Sequence, residues 1–454
     1  MDITSEITRL EKSSVKLSLT VAKNELRSEY DKLIKEYTKS IQIPGFRKGK
    51  VPRDVLERKY GEALKGEALG KIMEKSITEV FDNEAFPKEN KPLPYSTPSL
   101  QDEPKLDLDS DLSFSVVYDV LPEVKIGKWE GLSVEVPDVS IGKEDINREL
   151  EIIQERNAIV LDKSEGESAA KNDVVTMTYG ELEGDSQETL SGSKREDFTY
   201  TLGSDHNVYQ FDDEITGMKK GETREFSKSY PTDHKDFPGE TKRFRVTLTG
   251  LKSKKLPDLD DDLAQDVDEK FKTLDDLKNS IQQRLEKDLE KMKRNQKINK
   301  LLDNIMEASP VEIPESMIRM ELDSRWRNLA RRFNTDSDGL YKIMGNSAER
   351  AESIIEGWKP DAIKGLHSRL IIETLIEELK FEASEEEAEK EIEKLAAESG
   401  SKIEDFKRYY EDERIRTYLK EDIKERKVFE LLLYKNTFNP GKKESYVDLA
   451  GNFG

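Results

Sequence analysis

The sequence predicts a multidomain α+β protein, with an α+β N-terminal domain, a β-rich central domain and an elongated all-α C-terminal domain. At 454 residues the chain is too long for a single domain. Along the chain, apolar residues first alternate with polar ones and later recur at helical spacing. Only 34% of residues are hydrophobic and 38% are charged, which is typical of long helices that bury narrow apolar stripes.

Residues 1–120 are predicted to form the α+β N-terminal domain. Apolar residues alternate in two segments, which indicates strands, and recur at helical spacing in two others. Pro52 is well placed to begin the second helix, and Gly61 is expected to interrupt it. These strands and helices are expected at 15–21, 26–37, 55–81 and 114–118.

Residues 121–168 are predicted to be a linker, and residues 169–252 a small β-rich domain. The linker includes a strand-like piece at 132–136 and a helix at 146–160. In the domain that follows, glycines separate short runs of β-branched and aromatic residues, which favours strands joined by turns. The clearest of these strands are expected at 174–179, 198–202 and 244–248.

Residues 253–454 are predicted to be almost wholly helical. A long helix begins at Thr273, and prolines separate it from the next one. Ser384 and Glu387 have the spacing of a capping box at the start of a later helix. Because the apolar stripes are thin, these helices are expected to form extended arms rather than a compact globular domain. The later helices are expected at 354–379, 384–400 and 403–433.

The charge of the chain is strongly negative and unevenly distributed. The net charge is −21, which argues against a general nucleic-acid binder. Residues 1–60 nevertheless contain 14 Lys and Arg against 9 Asp and Glu. This asymmetry predicts that the N-terminal end docks on an anionic surface while the rest of the chain stays in solution.

Several classes of site are not expected. The chain has no cysteine, so disulfides and thiolate metal sites are excluded. The histidines, His206, His234 and His367, lack metal-ligand spacing, and the sequence predicts no metal and no cofactor. A signal peptide and an apolar run long enough to span a membrane are also lacking, so no membrane partner is expected and a cytosolic location is favoured.

The segment Gly45-Phe46-Arg47-Lys48-Gly49-Lys50-Val51-Pro52, here called the cationic loop, is the most informative motif. It has three residues between its glycines and no hydroxyl residue after Lys50, so it does not match a phosphate-binding P-loop. One interpretation is an ordinary helix–helix connection with solvated charge. The other is a docking loop, because Arg47 can bind phosphates or carboxylates while Phe46 supplies apolar contact.

This motif and the order of the domains resemble the trigger factor family of bacterial ribosome-associated chaperones, over essentially the whole chain. The resemblance implies that the cationic loop docks on a ribosomal protein and nearby rRNA at the exit of the peptide tunnel. It also implies nascent and unfolded polypeptides as partners, a cytoplasmic location, and a homodimer off the ribosome. By position, the ribosome-binding residues would be Gly45, Phe46, Arg47, Lys48, Gly49 and Pro52.

The central domain resembles the FK506-binding-protein (FKBP) fold, whose members catalyse prolyl cis/trans isomerisation. That reaction needs no nucleophile, because its barrier of roughly 18–20 kcal/mol comes from amide resonance. An apolar aromatic pocket can favour the twisted, less polar amide. The resemblance implies that the pocket is lined by Tyr179, Phe198, Tyr200, Val208, Phe211 and Phe244.

The central domain also departs from the family pattern. Leu190-Ser191 stands where the family carries an aromatic residue and an acid. Both glycines of another family motif are missing from Gln210 to Glu214, and a tyrosine-rich loop is reduced to the segment from His234 to Phe237. These departures predict a shallower or rebuilt pocket with reduced activity. A purely substrate-binding domain is the competing interpretation.

The helical arms are expected to bind unfolded chains without ATP, through many weak apolar contacts. Methionine is adaptable at promiscuous surfaces, although residues in such stripes commonly pack arm against arm instead. Two alternatives remain open: an isomerase whose helices only recruit substrates, and a free cytosolic holdase that does not need the ribosome. The candidate substrate-binding residues are Met317, Ile318, Met320, Trp326 and Leu329.

Overall fold

The computed structural model describes residues 1–47, 49–183, 188–190, 192–204, 207–232, 234 and 236–451. Lys48, Ser191, His206 and Lys235, which the sequence analysis singles out, lie outside the described residues.

The N-terminal part folds as an antiparallel sheet with two helices. Its elements are β1 (Ile3–Arg9), β2 (Ser14–Val21), α1 (Lys23–Ser40), α2 (Arg53–Phe81), β3 (Ser99–Leu100) and β4 (Leu112–Asp119). The strand order is β1-β2-β4-β3. Burial alternates along β2 as its sequence predicts, and its apolar residues pack under α1 and α2 in one core. The two helices therefore hold the cationic loop between them at the edge of this core.

The central part is built around a five-stranded antiparallel sheet. Its elements are β5 (Ser133–Val139), α3 (Lys143–Arg156), β6 (Ile159–Asp162), β7 (Val174–Glu181), β8 (Arg195–Thr201), α4 (Asp212–Ile215), β9 (Thr223–Ser229) and β10 (Thr241–Lys255). The strand order is β6-β10-β7-β8, and β9 also pairs with β10. Strands β7, β8 and β10 supply most of the aromatic side chains of the core.

The C-terminal part is helical apart from one strand, within the described residues. Its elements are α5 (Asp261–Val267), α6 (Leu274–Ala308), α7 (Glu315–Arg332), α8 (Ser337–Ile343), α9 (Ala348–Glu378), α10 (Glu385–Ser399), α11 (Ile403–Tyr409), α12 (Glu413–Lys435), β11 (Thr437–Glu444) and α13 (Tyr446–Gly451). Strand β11 pairs with β5. The predicted succession of an α+β part, a β-rich part and a helical part is thus confirmed.

The chain divides into two compact units. The first comprises residues 1–136 and 295–440, and the second comprises residues 137–294 and 441–454. Part of the segment predicted as a linker is packed, because Val124 and Val134 are buried in the helical core of the first unit. The domain boundaries given by the sequence analysis stay a prediction.

Local sequence signals explain where several helices begin and end. Ser384 and Glu387 form the predicted capping box at the start of α10, and Gly400 ends that helix with a left-handed φ of 65°. Pro314 immediately precedes α7. These local signals fix the ends of the helices independently of their packing.

Three predicted elements are corrected. Helix α2 continues through Gly61, because one glycine costs only about 1 kcal/mol and buried Leu56 and Leu64 hold both sides. The helix expected at 146–160 ends at Arg156, and the β-branched segment after it pairs with β10 as β6. The helix expected at 403–433 is two helices, and Asp412 caps the second by accepting from the Arg414 and Ile415 amides.

Gly127 offers a test of packing in the first unit. Its amide donates to Ser309 Oγ at 2.9 Å, and a Cβ built on it would lie 2.1 Å from the carbonyl oxygen of Ala308. We expect Gly127→Ala to lower the free energy of unfolding by about 1–3 kcal/mol, because backbone must shift to relieve the clash. Urea denaturation followed by circular dichroism measures this change.

Gly61→Ala is the matched control, because a Cβ at Gly61 meets no atom within 4 Å. That change should raise stability by about 0.5–1 kcal/mol in the interior of α2. An unchanged denaturation midpoint for Gly127→Ala would contradict the close approach to Ala308.

Candidate functional site

The cationic loop is anchored at both ends and open in its middle. Ile43 and Val51 flank it and are buried in the N-terminal core. Gly45 and Gly49 have φ angles of +93° and +80°, a conformation that residues with a Cβ rarely adopt. The backbone therefore turns at both glycines, and the side chains of Phe46 and Arg47 between them are exposed.

Phe46 and Arg47 are the exposed side chains of this loop. The ring of Phe46 is 36% exposed. Arg47 is exposed and forms no ion pair with any residue that the structure describes. Of the loop residues predicted from the resemblance, all but Lys48 are described, and the structure brings them together in one turn.

Arg53, at the start of α2, holds the base of the loop closed. Its guanidinium contacts Asp31 of α1 at 2.6 Å and Glu57 at 2.9 Å, and it lies 5.9 Å from the centre of the Tyr30 ring. Desolvation is the largest single influence on the pKa of Arg53 and lowers it. The hydrogen bonds to these two carboxylates together outweigh desolvation, so the pKa of Arg53 is raised. This cation is thus engaged within the fold, whereas Arg47 is available to a partner.

The aromatic side chains of the central domain form a second candidate site, here called the aromatic cluster. Tyr179 meets Phe198 and Phe211 edge-on, with each pair of ring centroids 5.6 Å apart. Phe211 and Phe244 lie 4.6 Å apart. Edge-to-face pairs of this kind stabilise a core beyond the area that they bury.

Burial divides the six residues predicted to line the pocket into two groups. Phe211 and Phe244 are fully buried, and Tyr179 and Tyr200 are nearly so. These four form a packed floor. Phe198 is half-buried and Val208 is 54% exposed, so these two are the members that a bound chain can reach.

The sequence analysis missed Tyr209, which lies at the centre of the aromatic cluster. Its ring stacks on Phe211 at 5.4 Å and on Phe237 at 5.1 Å, and it lies 4.9 Å from Phe244. Phe237 in turn stacks on His234. The segment that appeared reduced in sequence therefore supplies an aromatic wall. Strand alternation could not identify Tyr209, because Val208 and Tyr209 lie in a turn and Gln210 has a left-handed φ of 52°.

Polar atoms among these rings are held neutral or left unpaired. Burial raises the pKa of the Tyr200 and Tyr230 hydroxyls well above the usual tyrosine value, so both stay protonated at physiological pH. Tyr230 donates to the carbonyl oxygen of Tyr209 at 3.1 Å. The Tyr200 hydroxyl and Asn207 Nδ2 have no partner among the described residues. Two polar groups therefore remain without a hydrogen-bond partner inside the aromatic cluster.

The five arm residues predicted to bind unfolded chains do not share one surface. Met317 and Ile318 are buried in the helical core, so the structure contradicts their expected exposure. They face inward because α7 packs against α9 along this side. Trp326 and Leu329 are half-buried, and Trp326 lies 6.4 Å from the ring of Trp358. The exposed member is Met320, at 43%.

Metal and membrane sites were also sought among the described residues. No group of three or more His, Cys, Asp or Glu side chains in that part of the chain is arranged to hold a metal ion. No helix in the described ranges is both long and apolar enough to cross a membrane.

Comparison with known proteins gives three family matches in chain order. Residues 3–153 match the bacterial trigger factor protein family and residues 273–434 match its C-terminal model. Residues 165–249 match the FKBP-type peptidyl-prolyl cis-trans isomerase family. This last match includes the whole aromatic cluster.

Similar proteins align along the full chain. Trigger factor of Treponema denticola is 44% identical over 99% of both chains. Trigger factor of Treponema pallidum is 37% identical over 99% of this chain and 98% of the other. A solved structure from work on promiscuous substrate recognition by the trigger factor chaperone is 25% identical, with a TM-score of 0.45, and covers 95% of this chain and 99% of that one.

The fold and the aromatic cluster first define a class: a multidomain protein with an FKBP-type peptidyl-prolyl cis-trans isomerase domain. The full-length matches then define the family. The chain belongs to the trigger factor family.

Tyr209→Ala tests the packing of the aromatic cluster. Removing a half-buried ring that contacts Phe211, Phe237 and Phe244 loses this packing, and we expect the free energy of unfolding of the second unit to fall by about 1–3 kcal/mol. Thermal unfolding followed by near-ultraviolet circular dichroism reports on these rings. Val208→Ala is the control, because the exposed neighbour should change stability by only about 0.5 kcal/mol. Equal effects of both changes would contradict the central position of Tyr209.

Proposed function

We propose that this chain is an ATP-independent chaperone that docks on the ribosome beside the exit of the peptide tunnel. There it binds nascent polypeptides in the cytoplasm, and its central domain isomerises prolyl bonds. The observation that carries this proposal is the cationic loop, which exposes Phe46 and Arg47 while Ile43 and Val51 on either side of them are buried. Membership of the trigger factor family supports the same function.

Docking depends on local charge that opposes the charge of the whole chain. The net charge of −21 repels ribosomal RNA from most of the surface. Arg47 offers a planar fork that binds phosphate or carboxylate in bidentate fashion, and Phe46 adds apolar contact. Because opposing charges are screened beyond about 8 Å at physiological salt, the loop can bind an anionic site despite the acidic body.

The isomerase chemistry requires binding and exclusion of water rather than a reacting group. Rotation about a prolyl bond is limited by the loss of amide resonance. Phe198 and Val208 are placed to contact the proline, above a floor of packed rings that keeps water out. A weakly polar environment favours the twisted amide over the planar one. The reduced activity inferred from the sequence departures remains a prediction.

Clients are bound by apolar side chains that the helices leave exposed. Met320, Phe333 and Ile343 are 43%, 56% and 61% exposed and lie on or next to α7 and α8. Each contact is weak, since burial of apolar area contributes about 25 cal/mol per Å². Many weak contacts allow a nascent chain to leave without nucleotide hydrolysis.

Co-sedimentation with ribosomes tests the docking loop. We expect the triple variant Phe46→Ala, Arg47→Ala and Lys48→Ala to lose at least about 90% of the binding, because one or two lost charge-assisted contacts cost about 1.5–3 kcal/mol each. Binding is measured as the fraction of protein that pellets with purified ribosomes over a range of protein concentrations.

The matched control is Lys88→Ala with Lys91→Ala, which removes two exposed cations elsewhere in the N-terminal part of the chain. That variant should pellet like the wild type. If the triple variant pelleted equally well, the docking role of the loop would be refuted.

Phe198→Ala separates isomerisation from client binding. Phe198 lies at the accessible side of the aromatic cluster, so its loss should slow the catalysed refolding of a proline-limited substrate by about tenfold or more. The variant should still suppress the aggregation of a proline-free client as well as the wild type does. Thr199→Ala is the control, because this neighbour faces the opposite side of β8 and is exposed. Loss of both activities would favour an enzyme whose helices only recruit substrates.

A further inference from the structure

The loop that joins β9 to β10, here called the β9–β10 loop, is organised around the side chain of His234. The base of the loop is closed by the Tyr230 amide, which donates to the Glu240 carbonyl at 2.8 Å. Inside the loop, the backbone amides of Asp236 and Phe237 both donate to His234 Nδ1, at 3.3 and 3.1 Å. One ring nitrogen thus holds two backbone groups of the loop in place.

These two hydrogen bonds fix the protonation state of the imidazole. A backbone N–H can only donate, so Nδ1 of His234 must carry a lone pair and its proton must lie on Nε2. An imidazolium has a proton on both ring nitrogens and can accept neither bond. The conformation of the β9–β10 loop is therefore the one that a neutral His234 supports.

His234 is also the outer end of a column of stacked rings. Its ring lies within 19° of parallel to that of Phe237, with the centroids 5.6 Å apart. Tyr209 lies within 9° of parallel to Phe237 and within 8° of parallel to Phe211, at 5.1 and 5.4 Å. The column thus runs from the half-buried imidazole to the fully buried Phe211. Because His234 holds the Phe237 amide, it sets where the Phe237 ring meets Tyr209.

We propose that His234 is a positioning residue for prolyl isomerisation, which holds Phe237 in the aromatic cluster only while the imidazole is neutral. Acidification places a proton on Nδ1, and the amides of Asp236 and Phe237 then face an N–H instead of a lone pair. Phe237 loses its anchor, and the stacked column loses its outer end. The inference rests on the isomerase activity proposed above and adds a pH dependence to it.

One effect opposes this loss. An imidazolium stacked on Phe237 gains a cation–π attraction, but this attraction is small where water still reaches the cation. His234 is only half-buried, and protonation removes two hydrogen bonds at once. The loss therefore outweighs the gain, and the pocket is weaker at low pH.

Other titratable groups pack around the β9–β10 loop. Burial raises the pKa of the Tyr230 hydroxyl, which therefore stays neutral. Lys242 Nζ lies 5.1 Å from the centre of the Phe237 ring. Desolvation, the largest influence, lowers the pKa of Lys242, but hydrogen bonds to two carboxylates raise it overall, so this amine stays charged. The charged groups of the described residues on these elements are Asp236 in the loop, Glu240 at its end, Lys242 on β10 and Glu181 on β7.

NMR exchange spectroscopy on the full chain tests this proposal. The substrate is a capped peptide with one Leu-Pro bond and no titratable side chain, and the method needs no coupling protease. For the wild type, we expect kcat/KM to fall by about threefold to tenfold between about pH 7.5 and about pH 5.5, where histidine gains its charge and the pocket is displaced.

Two substitutions separate the acceptor of His234 from its ring. His234→Asn offers an amide oxygen near the position of Nδ1 and does not titrate, so kcat/KM should stay within about twofold of the wild type near pH 7.5 and lose its pH dependence. His234→Phe keeps a ring in the column but accepts no hydrogen bond, so kcat/KM should be about threefold to tenfold lower at both pH values. Near-ultraviolet circular dichroism checks the fold. If the Phe variant is unstable, the pH profile of the Asn variant decides alone.

The other two histidines provide the controls. His367 lies in the first unit, where its Nε2 contacts the Ser309 carbonyl at 2.7 Å, and His206 lies outside the described residues. His367→Gln and His206→Asn should both keep the pH response of the wild type. Loss of the response in either variant would assign it to that histidine and overturn the inference.

The remaining outcomes separate the inference from the activity on which it rests. Absence of catalysis by the wild type at both pH values would refute the isomerase activity and the inference with it. Equal kcat/KM of an active wild type at both pH values, or an unchanged pH response in His234→Asn, would overturn the inference alone. Full activity of His234→Phe with low activity of His234→Asn would assign the role of the residue to ring stacking instead.

Discussion

The scarcity of apolar residues is the constraint on which the rest of this structure depends. With 34% hydrophobic residues, the chain cannot enclose all of its elements in one core, and its buried residues fall into several separate clusters. Charged residues complete the contacts that apolar ones cannot. Between α10 and α12, for example, Arg416 and Arg426 bind carboxylates of the facing helix, and the hydrogen bond from Arg426 lowers the pKa of Glu391.

The charged residues differ in whether the fold uses them. Some cations form ion pairs within the fold, and others are exposed without one among the described residues. Arg53 and Arg47 illustrate the contrast within one segment: the first closes the base of the cationic loop and the second is left free among the described residues.

Much of the fold follows from local sequence signals, and much of the rest depends on partners distant in sequence. The alternation in β2 and the capping box of α10 are local, and both predictions are confirmed. Strand β1 was missed because only Ile3 and Ile7 mark its inner side, and its pairing with β2 completes it. Gly61 predicts a break because the cost of a glycine in a helix is visible in sequence, whereas the burial of its neighbours Leu56 and Leu64 is not.

The candidate sites show the same division. The loop residues are contiguous, so the sequence alone placed them together, while Tyr209 and Phe237 meet only in the folded domain. The burial of Met317 and Ile318 could not be predicted without knowing that α7 packs on α9.

The anchoring of the cationic loop by Ile43 and Val51 has an evolutionary consequence. Because Arg47 is exposed and unpaired among the described residues, selection can replace it at almost no cost in folding stability, whereas the positive φ angles of Gly45 and Gly49 resist replacement.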